Sequence, residues 1–279
     1  MITMLSVSVP EQKKGIVGIA KKLKKDKLKV EIKKARGVSL KHITYTSYSG
    51  KVCLDKAGRI IGAQRTQLLC SEKLDFPLQS GYRRFKSNVF PARLCTNMAL
   101  ELLKTCKCSA TLKVGIYDKS AVACDCLLGV LEYCSNAVVA TQNSKPYHFT
   151  AQRALDELGA SALITKSVSE LSGCDLIIAP CVIDEALPLS VKAVVLTVSR
   201  PKIKTGAAEY YRYHFRMPNG FDLIKPDELD EEYFCSALYT LGSQFELGSI
   251  VPLTCRNENA SQTIKSLCAE FEAQSKERR

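Results

Sequence analysis

The chain has 279 residues, of which 46% are apolar and 24% charged, with a net charge of +12 and 13 cysteines. This is ordinary globular composition, long enough for one large core or two smaller ones. No apolar run approaches the roughly 18 residues of a membrane-spanning helix. The opening stretch "MITMLSVSVPEQKK" lacks the basic flank of a secretory leader, so a cytoplasmic location is expected. An odd number of cysteines, many inside apolar runs, reads as buried free thiols in a reducing compartment. The close pairs Cys106/Cys108 and Cys124/Cys126 are spaced C-x-C, and none of His42, His148 and His214 lies beside them, so no metal site is expected.

In chain order, residues 9–28 predict a short amphipathic helix, with Ile16, Ile19, Ala20 and Leu23 at helical spacing and lysines opposite. Residues 27–35 alternate as a strand, with Leu28, Val30 and Ile32 toward a core. Between Glu11 and Arg36 stand eleven Lys/Arg against three Asp/Glu, a net of +8. This Lys13–Arg36 cluster is suited to nucleic acid, anionic lipid or an acidic protein surface. Residues 45–64 read as short strands joined by two tight turns, one of them "DKAG" ending on Gly58. The N-terminal part, residues 1–92, is therefore expected to be a small α+β module built as an antiparallel meander.

From Pro91 the pattern changes, and residues 93–279 are expected to form a second, α/β domain with helical additions at its end. Residues 92–106 are a helix with Leu94, Met98, Leu102 and Leu103 on one stripe. Strands and helices then alternate. Strands are predicted at 111–118, 137–142, 162–166, 175–180 and 192–199. Helices are predicted at 120–134, with Ser120 as N-cap, and at 149–160, closed by Gly159. Short continuous apolar strands of this kind belong to a parallel sheet covered on both faces. In 209–221 strand periodicity puts Tyr210, Arg212, His214 and Arg216 on one face, a surface able to hold phosphate or stack on bases. Residues 227–242 read as a helix with an acidic first turn, in which Asp227, Glu228, Asp230, Glu231 and Glu232 suit either solvent or a protomer interface. Residues 261–279 form a terminal helix.

The segment from Lys113 to Thr197, through "KVGIYD", "AVVATQNSKPYHFTAQRALDELGA" and "ELSGCDLIIAP", resembles the NAD(P)-binding Rossmann-like domain of the shikimate dehydrogenase and glutamyl-tRNA reductase type. That resemblance implies a cofactor groove at the carboxyl ends of the strands. The fingerprint G-x-G-x-x-G/A falls on Asp118, Lys119, Ser120, Ala121, Val122 and Ala123. Ala123 satisfies the third position, while Asp118 and Ser120 replace the first two glycines. After the second strand an NAD site requires an acid, and the chain has Thr141, Gln142 and Asn143, with Lys145 beyond. The groove residues singled out are thus Asp118, Lys119, Ser120, Ala121, Gln142 and Asn143. Asp118 is also placed to cap the turn, bind a metal or accept a phosphoryl group, with Asp184 as an acid at a neighbouring strand end.

The leading expectation is a degenerate Rossmann-like protein with no cofactor and a ligand-binding or regulatory role, not a standard dehydrogenase. It would act on a small molecule or a protein, with a homo-oligomer among its expected states. The alternative is an NADP-linked oxidoreductase or other nucleotide-using enzyme. It would seat phosphate at Ser120 and the ribose phosphate near Lys145 or Arg153, with Lys119 and His214 for acid–base work. A second alternative is nucleic-acid binding through the lysine cluster, which matches no recognised nucleic-acid motif.

Overall fold

A computed structural model describes residues 1–10, 24–48 and 54–277. The elements are, in order, β1 (Ile2–Ser8), β2 (Lys27–Ala35), β3 (Val38–Thr46), α1 (Leu54–Ile61), α2 (Val89–Thr105), β4 (Lys113–Tyr117), α3 (Cys126–Leu131), β5 (Asn136–Ala140) and α4 (Ser144–Leu158). They continue with β6 (Ala162–Thr165), β7 (Leu176–Ala179), β8 (Val194–Thr197), β9 (Ala208–Tyr210), β10 (Arg212–His214), α5 (Glu231–Leu241), β11 (Thr254–Arg256), β12 (Ser261–Thr263) and α6 (Ile264–Glu277). Two compact units result: residues 1–87 with 217–247, and residues 88–216 with 248–279. The helix expected over 9–28 lies mostly outside the described residues. Among the described residues no helix is long and apolar enough to cross a membrane.

The first unit holds a three-stranded sheet in the order β1-β3-β2. β2 and β3 form a hairpin through Arg36 and Gly37, both at positive φ (47° and 77°), the geometry a two-residue connection requires. The expected antiparallel meander is corrected at β1, which runs parallel to β3. Five consecutive residues of β1 are buried, the pattern of a strand covered on both faces rather than one. The expected inward face of β2 is corrected as well. β2 is an edge strand; Leu28 packs against the core formed by Leu5, Ile43, Tyr45, Ala57 and Ile61, but Val30 and Ile32 are 42% and 59% exposed. The predicted turn at "DKAG" is helix α1. Ala57 and Ile61 are buried on one side of α1, and Gly58 serves a close approach: a Cβ there would come 2.7 Å from the Tyr82 hydroxyl. Residues 217–247 contribute α5, whose N-cap Asp230 accepts from the Glu232 N–H, as its acidic start predicts.

The second unit has a Rossmann-like α/β architecture. Its six-stranded sheet runs β6-β5-β4-β7-β8-β9, all neighbours parallel. The chain steps outward from β4 to β5 to β6, returns to the other side of β4, and steps outward again through β7, β8 and β9. The order therefore reverses between β4 and β7. All four residues of β7 and of β8 are buried, as are four of the five in β4. Leu94, Met98, Leu102 and Leu103 of α2 are fully buried on the predicted stripe. α4 ends on Gly159 in the left-handed conformation, as expected.

Residues 209–221 depart from the single strand expected. The chain leaves the parallel sheet at Tyr210 and enters a separate antiparallel sheet, β10-β11-β12, at Arg212. The alternation is broken at that junction. Tyr210 and Tyr211 are both buried, and only Arg212, His214 and Arg216 share the exposed face.

Candidate functional site

The site is built where β4 and β5 end. The ladder extends one residue past β4 through the Asp118 N–H on the Ala140 carbonyl (3.1 Å). The Asp118 side chain turns inward and is 0% exposed. Its Oδ2 accepts from the Ala123 N–H (3.0 Å) and from the Tyr147 hydroxyl of α4 (3.0 Å), while Oδ1 has no hydrogen-bond partner. Tyr147 is itself fully buried, and that burial, with Asp118 beside it, pushes its hydroxyl above the usual tyrosine range. Asp118 thus caps its own turn from within. A metal-binding or phosphoacceptor role at a solvent-facing strand end does not fit a carboxylate with no exposed surface.

The predicted helix over 120–134 is corrected here. α3 begins at Cys126 and has six residues, and Ser120 is not its N-cap. Two features delay it. Ala121 takes a left-handed φ of 57°, and the Asp118 carboxylate holds the Ala123 amide that would otherwise open a helix. A helix this short has little dipole with which to hold an anion.

The turns after β4 and β5 are tied together, and all six predicted groove residues lie in them. The Gln142 N–H donates to the Lys119 carbonyl (3.2 Å), and the Asn143 side-chain amide donates to the Ser120 carbonyl (3.4 Å). The Gln142 side chain reaches the Lys166 carbonyl (3.4 Å). Ser120, Gln142, Asn143 and Lys145 are exposed, and Arg153 is paired with Glu157 one turn along α4.

Sequence reasoning missed most of a polar cluster on the other side of β4. Lys119 Nζ lies 2.6 Å from Asp184 and 3.0 Å from Glu185, and the Tyr117 hydroxyl donates to Glu185 (2.8 Å). Asp184 stands out in the sequence only as an acid beyond a strand end. Glu185 and Tyr117 carry no motif, because the contact joins residues more than sixty positions apart. Hydrogen bonds donated to Asp184 and Glu185 hold the Lys119 ammonium above the usual lysine range, and Lys119 in turn holds both carboxyls below theirs. Burial raises the Tyr117 hydroxyl. Lys119 is therefore a cation at neutral pH and no general base. His214, the other acid–base candidate, lies on β10 of the antiparallel sheet.

The twelve described cysteines are free. Cys106 and Cys108 stand with their sulfurs 3.3 Å apart, and Cys181 donates to the Tyr117 carbonyl (3.4 Å). Burial pushes Cys181 up to about 11 and Cys95 up to about 12. Among the described residues no group of three or more His, Cys, Asp or Glu is arranged to hold a metal ion. Part of the lysine cluster lies outside the described residues; within it, Lys29 pairs with Glu31. In the acidic stretch, Glu228 accepts from Ser6.

This is the site of an open, doubly wound α/β protein: two adjoining turns at the carboxyl edge of a parallel sheet, beside the point where its strand order reverses. No family model and no curated protein matches the sequence. Solved structures that resemble the chain include Δ1-pyrroline-2-carboxylate reductase of Thermococcus litoralis in complex with NADH and L-proline (17% identity, 39% of this chain and 36% of that one, TM-score 0.29). That match spans about a third of the reductase's own length. L-tryptophan dehydrogenase of Nostoc punctiforme shares 10% identity over 89% of this chain and 76% of that one, with TM-score 0.34. Ligand-free 5-ketofructose reductase of a Gluconobacter species shares 10% over 98% of each, with TM-score 0.32. The likeness is one of fold. The expectation of no cofactor is corrected on this finding, since one of these neighbours was solved with NADH and the other two are named a dehydrogenase and a reductase.

Proposed function

We propose that the second unit binds a nicotinamide dinucleotide carrying a phosphorylated ribose, and that the protein is an NADP-linked oxidoreductase. The observation that carries this reading is the strand order β6-β5-β4-β7-β8-β9. In sheets of this order ligands lie outside the carboxyl ends of the strands where the order reverses, here β4 and β7.

The end of β5 favours the phosphorylated cofactor. A free ribose needs a carboxylate there, and Thr141, Gln142 and Asn143 supply none. α4 then opens with Ser144 and the exposed Lys145, has no acid in its first turn, and receives no side-chain hydrogen bond from its N-cap Asn143. Uncapped first-turn amides, the positive end of a fifteen-residue helix and a lysine suit a phosphomonoester. Ser120 stands where the fingerprint has its second glycine, so its hydroxyl would meet the pyrophosphate in place of bare backbone.

When bound, the cofactor supplies the hydride of an oxidation or reduction. The chain supplies a fixed charge. Lys119 Nζ stays protonated through neutral pH because Asp184 and Glu185 hold it, and the buried Tyr117 hydroxyl stays neutral beside Glu185. Groups held this firmly in their protonated forms are weak acids, so the part that suits Lys119 is electrostatic, a fixed positive charge near a carbonyl or imine as hydride arrives. Isothermal titration of the full chain with NADPH tests the reading. Binding is expected, weakened about tenfold or more by Lys145→Ala, equivalent to about 1.4 kcal/mol. No heat of binding at millimolar NADPH would overturn it.

A further inference from the structure

We propose that the outward face of the small antiparallel sheet β10-β11-β12 is a second anion site, which holds the phosphate of a small phosphomonoester. The site stands apart from the cofactor reading and does not depend on it.

The strand register builds this face. Arg212 lies directly opposite Arg256, and Arg256 opposite Ser261; two residues along, His214 lies opposite Thr254, and Thr254 opposite Thr263. Residues opposite one another in an antiparallel pair share a face, as do residues two apart on one strand. Tyr213 and Cys255, between the two rows, point the other way and are buried. Arg212, His214, Arg256 and Ser261 are exposed. The face is therefore two guanidiniums, an imidazole and three hydroxyls, of which that of Thr263 is already tied to Ser266 at the start of α6.

None of these six positions is an acid. The acids nearest in sequence are committed elsewhere: Glu209 accepts from the Thr205 N–H (2.7 Å) and hydroxyl (2.8 Å), and Glu258 pairs with Arg200 (2.6 Å). Among the described residues neither Arg212 nor Arg256 enters an ion pair. A guanidinium cannot shed its charge, and like charges directly opposite destabilise a strand pair, so an anion spanning both relieves the sheet. One guanidinium fork satisfies the two oxygens of a carboxylate. Two forks with a hydroxyl beside them match the three terminal oxygens of a phosphomonoester. The rows cover about 7 Å by about 10 Å, room for one phosphate or two. Tyr210, Tyr211, Tyr213 and Phe215 are buried, so the face has no platform on which bases stack, which argues against a nucleic-acid strand.

The sheet stands at the ligand-binding edge of the unit. β10 follows the carboxyl end of β9, and the Tyr213 hydroxyl donates to the Thr197 carbonyl at the carboxyl end of β8 (2.9 Å). Four strand spacings, about 19 Å, separate β9 from β5, where the ribose phosphate is proposed to lie, so the two anion seats are distinct.

Calorimetric titration of the intact chain with glycerol phosphate at fixed ionic strength tests this, with acetate and a single-stranded oligonucleotide as comparisons. Wild type is expected to bind glycerol phosphate with a Kd of about 1 mM or tighter, and acetate about tenfold or more weakly. Arg212→Gln and Arg256→Gln should each weaken glycerol phosphate about tenfold or more. Arg256→Lys, which keeps the charge and loses the fork, should weaken it about threefold or more. Lys192→Ala, which removes an exposed cation elsewhere in the same unit, should leave it unchanged. Circular dichroism checks that each variant is folded, and if one arginine variant is not, the other decides. No binding of glycerol phosphate by wild type, full binding in a folded Arg→Gln variant or in Arg256→Lys, or an equal loss in Lys192→Ala overturns the proposal. An oligonucleotide bound through these arginines in preference to glycerol phosphate overturns it too, in favour of a nucleic-acid surface.

Discussion

The bond between Tyr147 and Asp118 is the interaction on which the geometry of the site depends most directly. Tyr147→Phe removes one hydroxyl and changes nothing else in shape. Both side chains are fully buried, so water cannot replace the lost donor. The carboxylate already has one oxygen without a partner and would be left with the Ala123 amide alone, 3.0 Å away. A hydrogen bond to a charged group contributes about 1.5–3 kcal/mol. At about 2–4 °C per kcal/mol for a domain of 150–250 residues, the melting temperature should fall by about 3–12 °C. In urea the midpoint should fall with the slope unchanged, because the surface exposed on unfolding stays the same. A Tyr147→Phe protein as stable as wild type would refute the claim that this hydroxyl holds a buried carboxylate in place.

Two further perturbations probe the frame around the site. Gly115→Ala in β4 would bring a Cβ to 2.6 Å from Ile177 Cδ1, 2.8 Å from Leu171 Cδ2 and 3.1 Å from Cys174 Sγ, all in the core. The two methyl ends and the thiol can shift, but all three must do so together, and a net loss of about 1–2 kcal/mol is expected after the gain from removing a glycine; an unchanged or raised melting temperature would count against it. In the first unit, burial lowers the His42 imidazole from 6.5, against the pull of Glu228, while its Nε2 lies 2.6 Å from Ser6 Oγ. The unfolded chain then takes up a proton that the folded one resists, so stability is full above pH 6.5 and falls as the pH drops below it. His42→Gln should flatten that fall between urea midpoints measured at about pH 8 and about pH 5.5; equal slopes in the two proteins would show that His42 is not the group responsible.

The parallel core was legible because its signal is local. β4, β5, β7 and β8 are apolar runs with no polar alternation, α2 repeats its leucines at helical spacing, and Gly159 marks the end of α4. What escaped is what depends on distant residues. Val30 and Ile32 alternate as a core strand should, but only a partner on the far side of β2 could bury them. The break at Tyr211 is invisible because one aromatic–basic alternation serves two sheets. The return of residues 217–247 to the first unit leaves no local mark. At the site, the turn chemistry of Asp118 and Ser120 was readable, whereas the delay of α3 follows from a left-handed Ala121, which no residue type announces. The Lys119–Asp184–Glu185 cluster joins the ends of two strands that the crossover brings side by side.

Strand β2 also gives the N-terminal lysines a meaning that needs no ligand. Among the described residues the outer edge of β2 pairs with no strand, and such an edge with isoleucine and valine open to water is a template for another chain. Along this one, Lys27, Lys29, Lys33 and Lys34 place ammonium groups at nearly every second residue. Two copies approaching edge to edge would bring like charges together before a ladder could form. The same row of amines that looks like bait for a polyanion is thereby a guard, keeping a sticky border solitary.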